Sequence, residues 1–267
     1  MRGRTTAPLR ALGALLLAFT VSGCSDDDST SPKFGTIQMR MTDAPAAVDA
    51  INLVIREVSI HRGDGDDDEG GWEVLRTDTL DVDLFELRNG VFMTLAAAEV
   101  PAGTYTQIRL KLDEGSTIVV DGVTHPLVVP SGLTSGYKLV GNFTVPPDGL
   151  LDLALDFDAA RSVHLTGSGT WMLKPTVRVM PFSTAGAIKG RVLPEDTATT
   201  VYAIQAADTI GSAITLDDGR FQVSVLPAGT YSVAFDPEGA YRDTTLTGVN
   251  VIQGAATDVG DVQLTPQ

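Results

Sequence analysis

The residue with the most definite chemistry in this chain is its single cysteine, Cys24. It stands just behind an apolar run, Ala11 to Phe19, which the basic residues Arg2, Arg4 and Arg10 precede. Basic residues followed by a short apolar segment form a secretory signal, too short to stay in a membrane as a span. One thiol excludes an intramolecular disulfide, a cysteine-based zinc site and an iron–sulfur site. The three histidines, His61, His125 and His164, show neither His-x-His nor His-Glu-x-x-His spacing, so no catalytic zinc is expected. Gly167-Ser168-Gly169 lacks the outer spacing of a nucleophile elbow. Triad members can be far apart in sequence, so spacing alone does not decide against one.

Carboxylates supply two further constellations. Asp64, Asp66 and Asp68 alternate within Asp64 to Gly71, as in a Ca²⁺ loop. Such a loop needs Gly at its sixth position and a bidentate Glu at its twelfth. Glu69 and Leu75 stand there instead. A solvated hairpin tip is the expected reading, with weak Ca²⁺ binding as the remainder and no other cofactor. On strand-like segments, Arg109 and Lys111 share one polar side and Asp152, Asp156 and Asp158 share another. These charges either pair across strands or form a polar ligand face of Arg109, Lys111, Lys138, Asp156, Asp158 and Lys174. His61 and His125 occupy ordinary positions at a strand end and after a turn.

The elements that position these residues read as strands. Ile37, Met39 and Met41 alternate with Gln38 and Arg40, Ile108, Leu110 and Leu112 with Arg109 and Lys111, and Leu151 to Phe157 with Asp152, Ala154 and Asp156. Period two marks a half-buried strand. The apolar phase slips between Ile51-Leu53-Ile55 and Val58-Ile60, which predicts a β-bulge near Arg56-Glu57. Val91 to Glu99 suggests a helical turn or two. After a boundary at Pro181 to Gly186 strands restart at 188–192, 201–205, 221–225, 231–235, 248–252 and 259–264. Val100-Pro101-Ala102-Gly103-Thr104-Tyr105 recurs as Leu226-Pro227-Ala228-Gly229-Thr230-Tyr231. Each is a tight turn feeding a strand, with the Tyr as its first inward residue. Many short strands among 27 Gly and 14 Pro in 267 residues imply an all-β chain of two sandwiches. The formal charge of −15 sets the chain against nucleic acid and anionic lipid surfaces.

Val21-Ser22-Gly23-Cys24, an aliphatic residue and two small ones before Cys, resembles the lipobox of bacterial lipoproteins. The competing reading is an ordinary signal peptide with a chance cysteine. The resemblance implies cleavage after residue 23 and acylation of Cys24, each buried methylene contributing ~0.8 kcal/mol of membrane anchoring. Loss of residues 1–23 removes three arginines and takes the charge from −15 to −18. Residues 24–33 then form the lipidated end and an acidic tether. Ser25 after the cysteine implies the outer membrane of a Gram-negative envelope, and Asp26 to Asp28 also resembles a surface-export signal.

Residues 34–182 resemble a family of bacterial lipoprotein domains known as domain of unknown function 4382. Met41-Thr42-Asp43-Ala44-Pro45, Ile55 to His61, Leu84 to Gly90, Pro101 to Leu110, Ser135 to Leu139, Leu155 to Val163 and Leu173-Lys174-Pro175 carry the likeness. It implies a secreted, usually lipid-anchored envelope domain and says almost nothing about activity. Residues 186–267 resemble carboxypeptidase regulatory-like domains of transthyretin or prealbumin type, through Gly190-Arg191-Val192, Thr215 to Phe221, Leu226 to Tyr231 and Val259 to Val262. Such domains are similar in fold to carbohydrate-binding modules, and Tyr202 and Tyr241 would be the aromatics for a sugar.

Together these readings describe a non-catalytic, lipid-anchored envelope protein with a binding or adhesion role. Its expected partners are the membrane, through Cys24, and a glycan or protein ligand. An accessory hydrolytic enzyme and a purely structural spacer are the alternatives.

Overall fold

The computed structural model describes residues 33–267 except 45, 47, 64–70 and 131–134. The first thirteen strands are β1 (Phe34–Ala44), β2 (Ala50–Arg62), β3 (Trp72–Arg76), β4 (Leu80–Asp83), β5 (Met93–Pro101), β6 (Gly103–Leu112), β7 (Thr117–Val120), β8 (Val123–Val128), β9 (Tyr137–Val145), β10 (Leu150–Asp158), β11 (Val163–Leu165), β12 (Trp171–Leu173) and β13 (Val177–Pro181). One helical turn, α1 (Ala159–Ser162), follows β10, and a 3-10 turn (Leu84–Leu87) follows β4. Seven more strands complete the chain: β14 (Gly186–Leu193), β15 (Thr199–Gln205), β16 (Asp208–Ile214), β17 (Arg220–Leu226), β18 (Gly229–Pro237), β19 (Thr244–Val251) and β20 (Ala256–Gln263).

A four-stranded sheet, β13-β10-β1-β5, faces a nine-stranded sheet whose main path is β11-β12-β8-β7-β2-β6-β9, with β3 and β4 also paired to β2. Ile37, Met39 and Met41 of β1 and Leu153 and Leu155 of β10 meet Leu53, Ile55, Ile108 and Leu110 between them. Each such side chain contributes about 1.5–3 kcal/mol by leaving water. The second sandwich packs β17-β14-β20 on β16-β15-β18-β19 around Ile188, Val201, Phe221, Val233 and Phe235. The all-β architecture is thus the expected one. Residues Pro32–Gln267 hold together as one unit around these two cores.

The bulge lies where the phase slip places it. Ile55 pairs with Leu112 and Glu57 with Lys111, leaving Arg56 as the extra residue of β2. Tyr105 and Tyr231 are both buried, and each hydroxyl donates to the carbonyl of the Pro four residues earlier, at 2.8 Å in both cases. Gly103 and Gly229 before them have φ of 147° and 154°, which an L side chain rarely adopts.

Two expectations are corrected, and one strand lay outside the expected set. Val91 to Glu99 is not helical: Met93–Pro101 is β5, antiparallel to β1, because pairing with a buried strand outweighs the helix propensity of Ala96, Ala97 and Ala98. β10 is not half-buried: Leu153 to Phe157 are all buried, since its outer face lies against the second sandwich. β16 carries no sequence signal because its hairpin turn to β15 is Ala206-Ala207, at φ of 50° and 75°, rather than the Asn-Gly or Asp-Gly such a turn favours.

Candidate functional site

Arg109, Lys111 and Lys138 come together on the outer face of the nine-stranded sheet. β6 and β9 place Arg109 directly opposite Lys138, and β2 places Ser59 and Glu57 opposite Arg109 and Lys111. Glu57 accepts from Arg109 at 3.0 Å and from Lys111 at 2.8 Å, while the Ser59 hydroxyl takes Arg109 Nε at 3.0 Å. Burial alone would raise the Glu57 carboxyl. The hydrogen bonds from Lys111 and Ser59 and the two cations outweigh burial and hold it below the ordinary value.

Trp72 of β3 completes this face. The Arg109 guanidinium lies 4.0 Å from its ring centroid and Lys138 Nζ 5.6 Å. His61, its direct partner across β2 and β3, packs with centroids 5.0 Å apart. Trp72 was not legible as a site residue, because its contacts are made across strands distant in sequence.

Asp156 and Asp158 do not join this face; they lie on β10 in the other sheet. The expected pairing of the β10 carboxylates with Arg109 and Lys111 is therefore corrected. Asp152 pairs with Arg40 at 2.8 Å, Asp156 with Arg178, and Asp158 caps α1 by accepting from the Arg161 amide at 2.9 Å. Lys174 is exposed beyond β12. Of the other histidines, His125 packs near Trp171, at 6.2 Å between centroids, and His164 is exposed. Tyr241 packs on the second core and Tyr202 lies on β15. Cys24 and the loop carboxylates Asp64, Asp66 and Asp68 lie outside the described residues. Among the described residues no group of His, Cys, Asp and Glu could hold a metal ion, and no helix is long and apolar enough to cross a membrane.

A second polar centre sits where the sandwiches meet. Arg178 donates to Asp156 and to the carbonyls of Ile210 and Ser224. Burial pushes the Asp156 carboxyl up to about 7, with Arg178 opposing and Asp158 adding to the rise. Asp43, at the end of β1, is raised well above the usual carboxylate range by burial and by Asp156 and Asp158. Its neighbour Thr42 donates to the Leu87 carbonyl at 2.8 Å, so Met41-Thr42-Asp43-Ala44 ties β1 to the 3-10 turn. Asn89 bridges the sandwiches too: its amide donates to the Ile214 carbonyl at 2.9 Å and accepts from the Gln222 amide at 3.0 Å. Beside it a cleft of about 400 Å³ is lined by Lys189, Arg191, Arg220, Asp258 and Asp261.

The family whose model is described as "Domain of unknown function (DUF4382)" matches residues 34–175, more than half of the chain. The chain belongs to this family. The DUF4382 segment comprises all of the first sandwich up to the start of β13, and so contains Trp72, Glu57, Arg109, Lys111 and Lys138. No curated protein matches the chain in sequence. Among solved structures, a type II cohesin–X-dockerin complex from Acetivibrio cellulolyticus is 19% identical over 30% of this chain and 57% of that one, with a TM-score of 0.26. The TIE protein of Bacillus anthracis is 12% identical over 87% of this chain and 34% of that one, at 0.22. The minor pilin of Streptococcus agalactiae is 11% identical over 86% and 97%, also at 0.22. The chain thus spans little more than half of the first of these and a third of the second. Scores at this level carry no argument about fold or function.

Proposed function

We propose that this protein is a non-catalytic, lipid-anchored module of the bacterial cell envelope that binds a polar ligand, a glycan in the first instance. The Trp72 face carries the reading. Its polar groups stand on β2, β3, β6 and β9, on a paired sheet rather than on loops: Arg109 and Lys111 pair with Glu57, and Lys138 lies over the Trp72 ring. Rigid placement of an aromatic ring among hydrogen-bonding side chains suits recognition of a polar ligand. A glycan array with the full chain tests it. Binding that Trp72→Ala abolishes while the fold is kept supports the reading; an array without binding defeats it.

Anchoring through Cys24 on the outer membrane completes the proposal. Cys24→Ala should move the mature chain from the membrane fraction to the soluble fraction. A variant that stays with membranes after its signal is cut would place the anchor elsewhere. A spacer role is the second reading. It is favoured by the junction, where Asn89, Arg161 and Arg178 each reach backbone groups of the second sandwich.

A further inference from the structure

Each sandwich has two seams, where the edge strand of one sheet faces the edge strand of the other. Among the described residues, side chains bridge three of these four. Arg76 of β3 donates to the Leu95 carbonyl of β5 at 3.0 Å. Asn89 joins β16 to β17. Thr257 of β20 donates to the Asn250 carbonyl of β19 at 2.7 Å. The fourth seam, between β9 and β13, holds a groove of about 540 Å³ walled by Leu139, Phe143, Leu151, Leu153, Val177 and Val179.

β9 ends the nine-stranded sheet: β6 pairs with one side of it, and no strand among the described residues pairs with the other. An unpaired edge presents backbone donors and acceptors to any incoming strand. Val140, at its middle, is 87% exposed.

The charge pattern selects the occupant. Copies of a chain with 34 Asp and Glu against 19 Lys and Arg repel wherever carboxylates face each other. This groove is lined by no carboxylate and by one cation, Lys138. If β9 is laid antiparallel on a second β9 with Gly141 facing Gly141, Leu139 stands opposite Phe143, Val140 opposite Asn142, and Lys138 opposite Thr144. Apolar residues then meet on the inner face, and no like charges meet directly. The chain's own tether, Ser25 to Pro32, has no apolar side chain to offer the groove.

We propose that β9 is a self-association edge, pairing antiparallel with β9 of a second copy about Gly141 and closing the groove of each. Such an isologous contact closes on itself as a dimer. The inference shares Lys138 with the Trp72 face but does not rest on the ligand reading there.

Sedimentation of the full chain in density-matched detergent tests it. The wild type should sediment as a dimer at the highest soluble concentration. Val140→Lys with Asn142→Lys sets lysines opposite one another at two exposed positions, so the fold is kept and the sedimenting mass should fall about twofold. Mixing that variant with one carrying Val140→Asp and Asn142→Asp should restore the dimer. A monomeric wild type overturns the proposal, whether or not it takes up a foreign peptide. So does a dimer that the paired lysines leave intact, or a mixture that stays monomeric.

Discussion

Arg178 of β13 donates to the Asp156 carboxylate on the neighbouring β10, and the same guanidinium reaches the Ser224 carbonyl of the second sandwich at 3.4 Å. One side chain therefore neutralises a buried acid and ties two cores together. Arg178→Ala leaves Asp156 buried beside no counter-charge, a change that costs about 3–5 kcal/mol when the group stays ionised. Asp156 can relieve this by taking a proton. Urea unfolding should therefore show a larger loss at pH 8 than at pH 6, and an equal loss at both would separate the cost from the Asp156 charge.

The wild type should gain stability as pH falls through about 7. Asp156 is pushed up to about 7 in the folded chain, against 3.8 for an unperturbed carboxylate. Between those values the native state holds a proton that the unfolded state lacks, so the contribution is full below the lower value and lost above the upper. Asp43 acts in the same direction. One such proton corresponds to about 1.4 kcal/mol per pH unit. Asp156→Asn should flatten the slope measured between pH 5 and pH 8. A wild type that instead weakens steadily from pH 7 to pH 5 contradicts this assignment.

Tyr105→Phe and Tyr231→Phe should each lose a similar, modest stability. Both remove one hydroxyl from a Pro carbonyl 2.8 Å away and leave the ring in place. A net hydrogen bond is worth about 0.5–1.5 kcal/mol. Denaturation midpoints of the two variants check this. A loss several times larger at one site would show that its hydroxyl also organises the turn.

Residues 34–182 and 186–267 should fold when expressed apart. Every buried residue of the second core lies between Ile188 and Leu264, so no apolar contact from the first sandwich is needed to complete it. The second fragment should nevertheless be less stable than in the full chain, because Asn89, Arg161 and Arg178 no longer satisfy backbone groups of β16 and β17. Circular dichroism melts of both fragments measure this. Failure of both to fold would show that the junction is part of one cooperative unit.

Period-two alternation was enough to place about half of the strands, the bulge at Arg56 and the inward Tyr105 and Tyr231. Those features depend on near neighbours in the chain, where side-chain direction and turn chemistry act locally. Apolar alternation also assigned the inner face of each sheet, hence the all-β sandwich architecture. What tertiary structure alone decided was which charges meet. Arg109 and Lys111 found Glu57 on β2 because the antiparallel register of β2 and β6 brings them opposite, not the Asp residues of β10 whose spacing resembled theirs. Burial of Asp156 came from a second sandwich covering the outer face of β10, an event no alternation within β10 records. The hairpin into β16 was hidden for the same kind of reason: pairing with β15 holds Ala206 and Ala207 at positive φ, against their own preference.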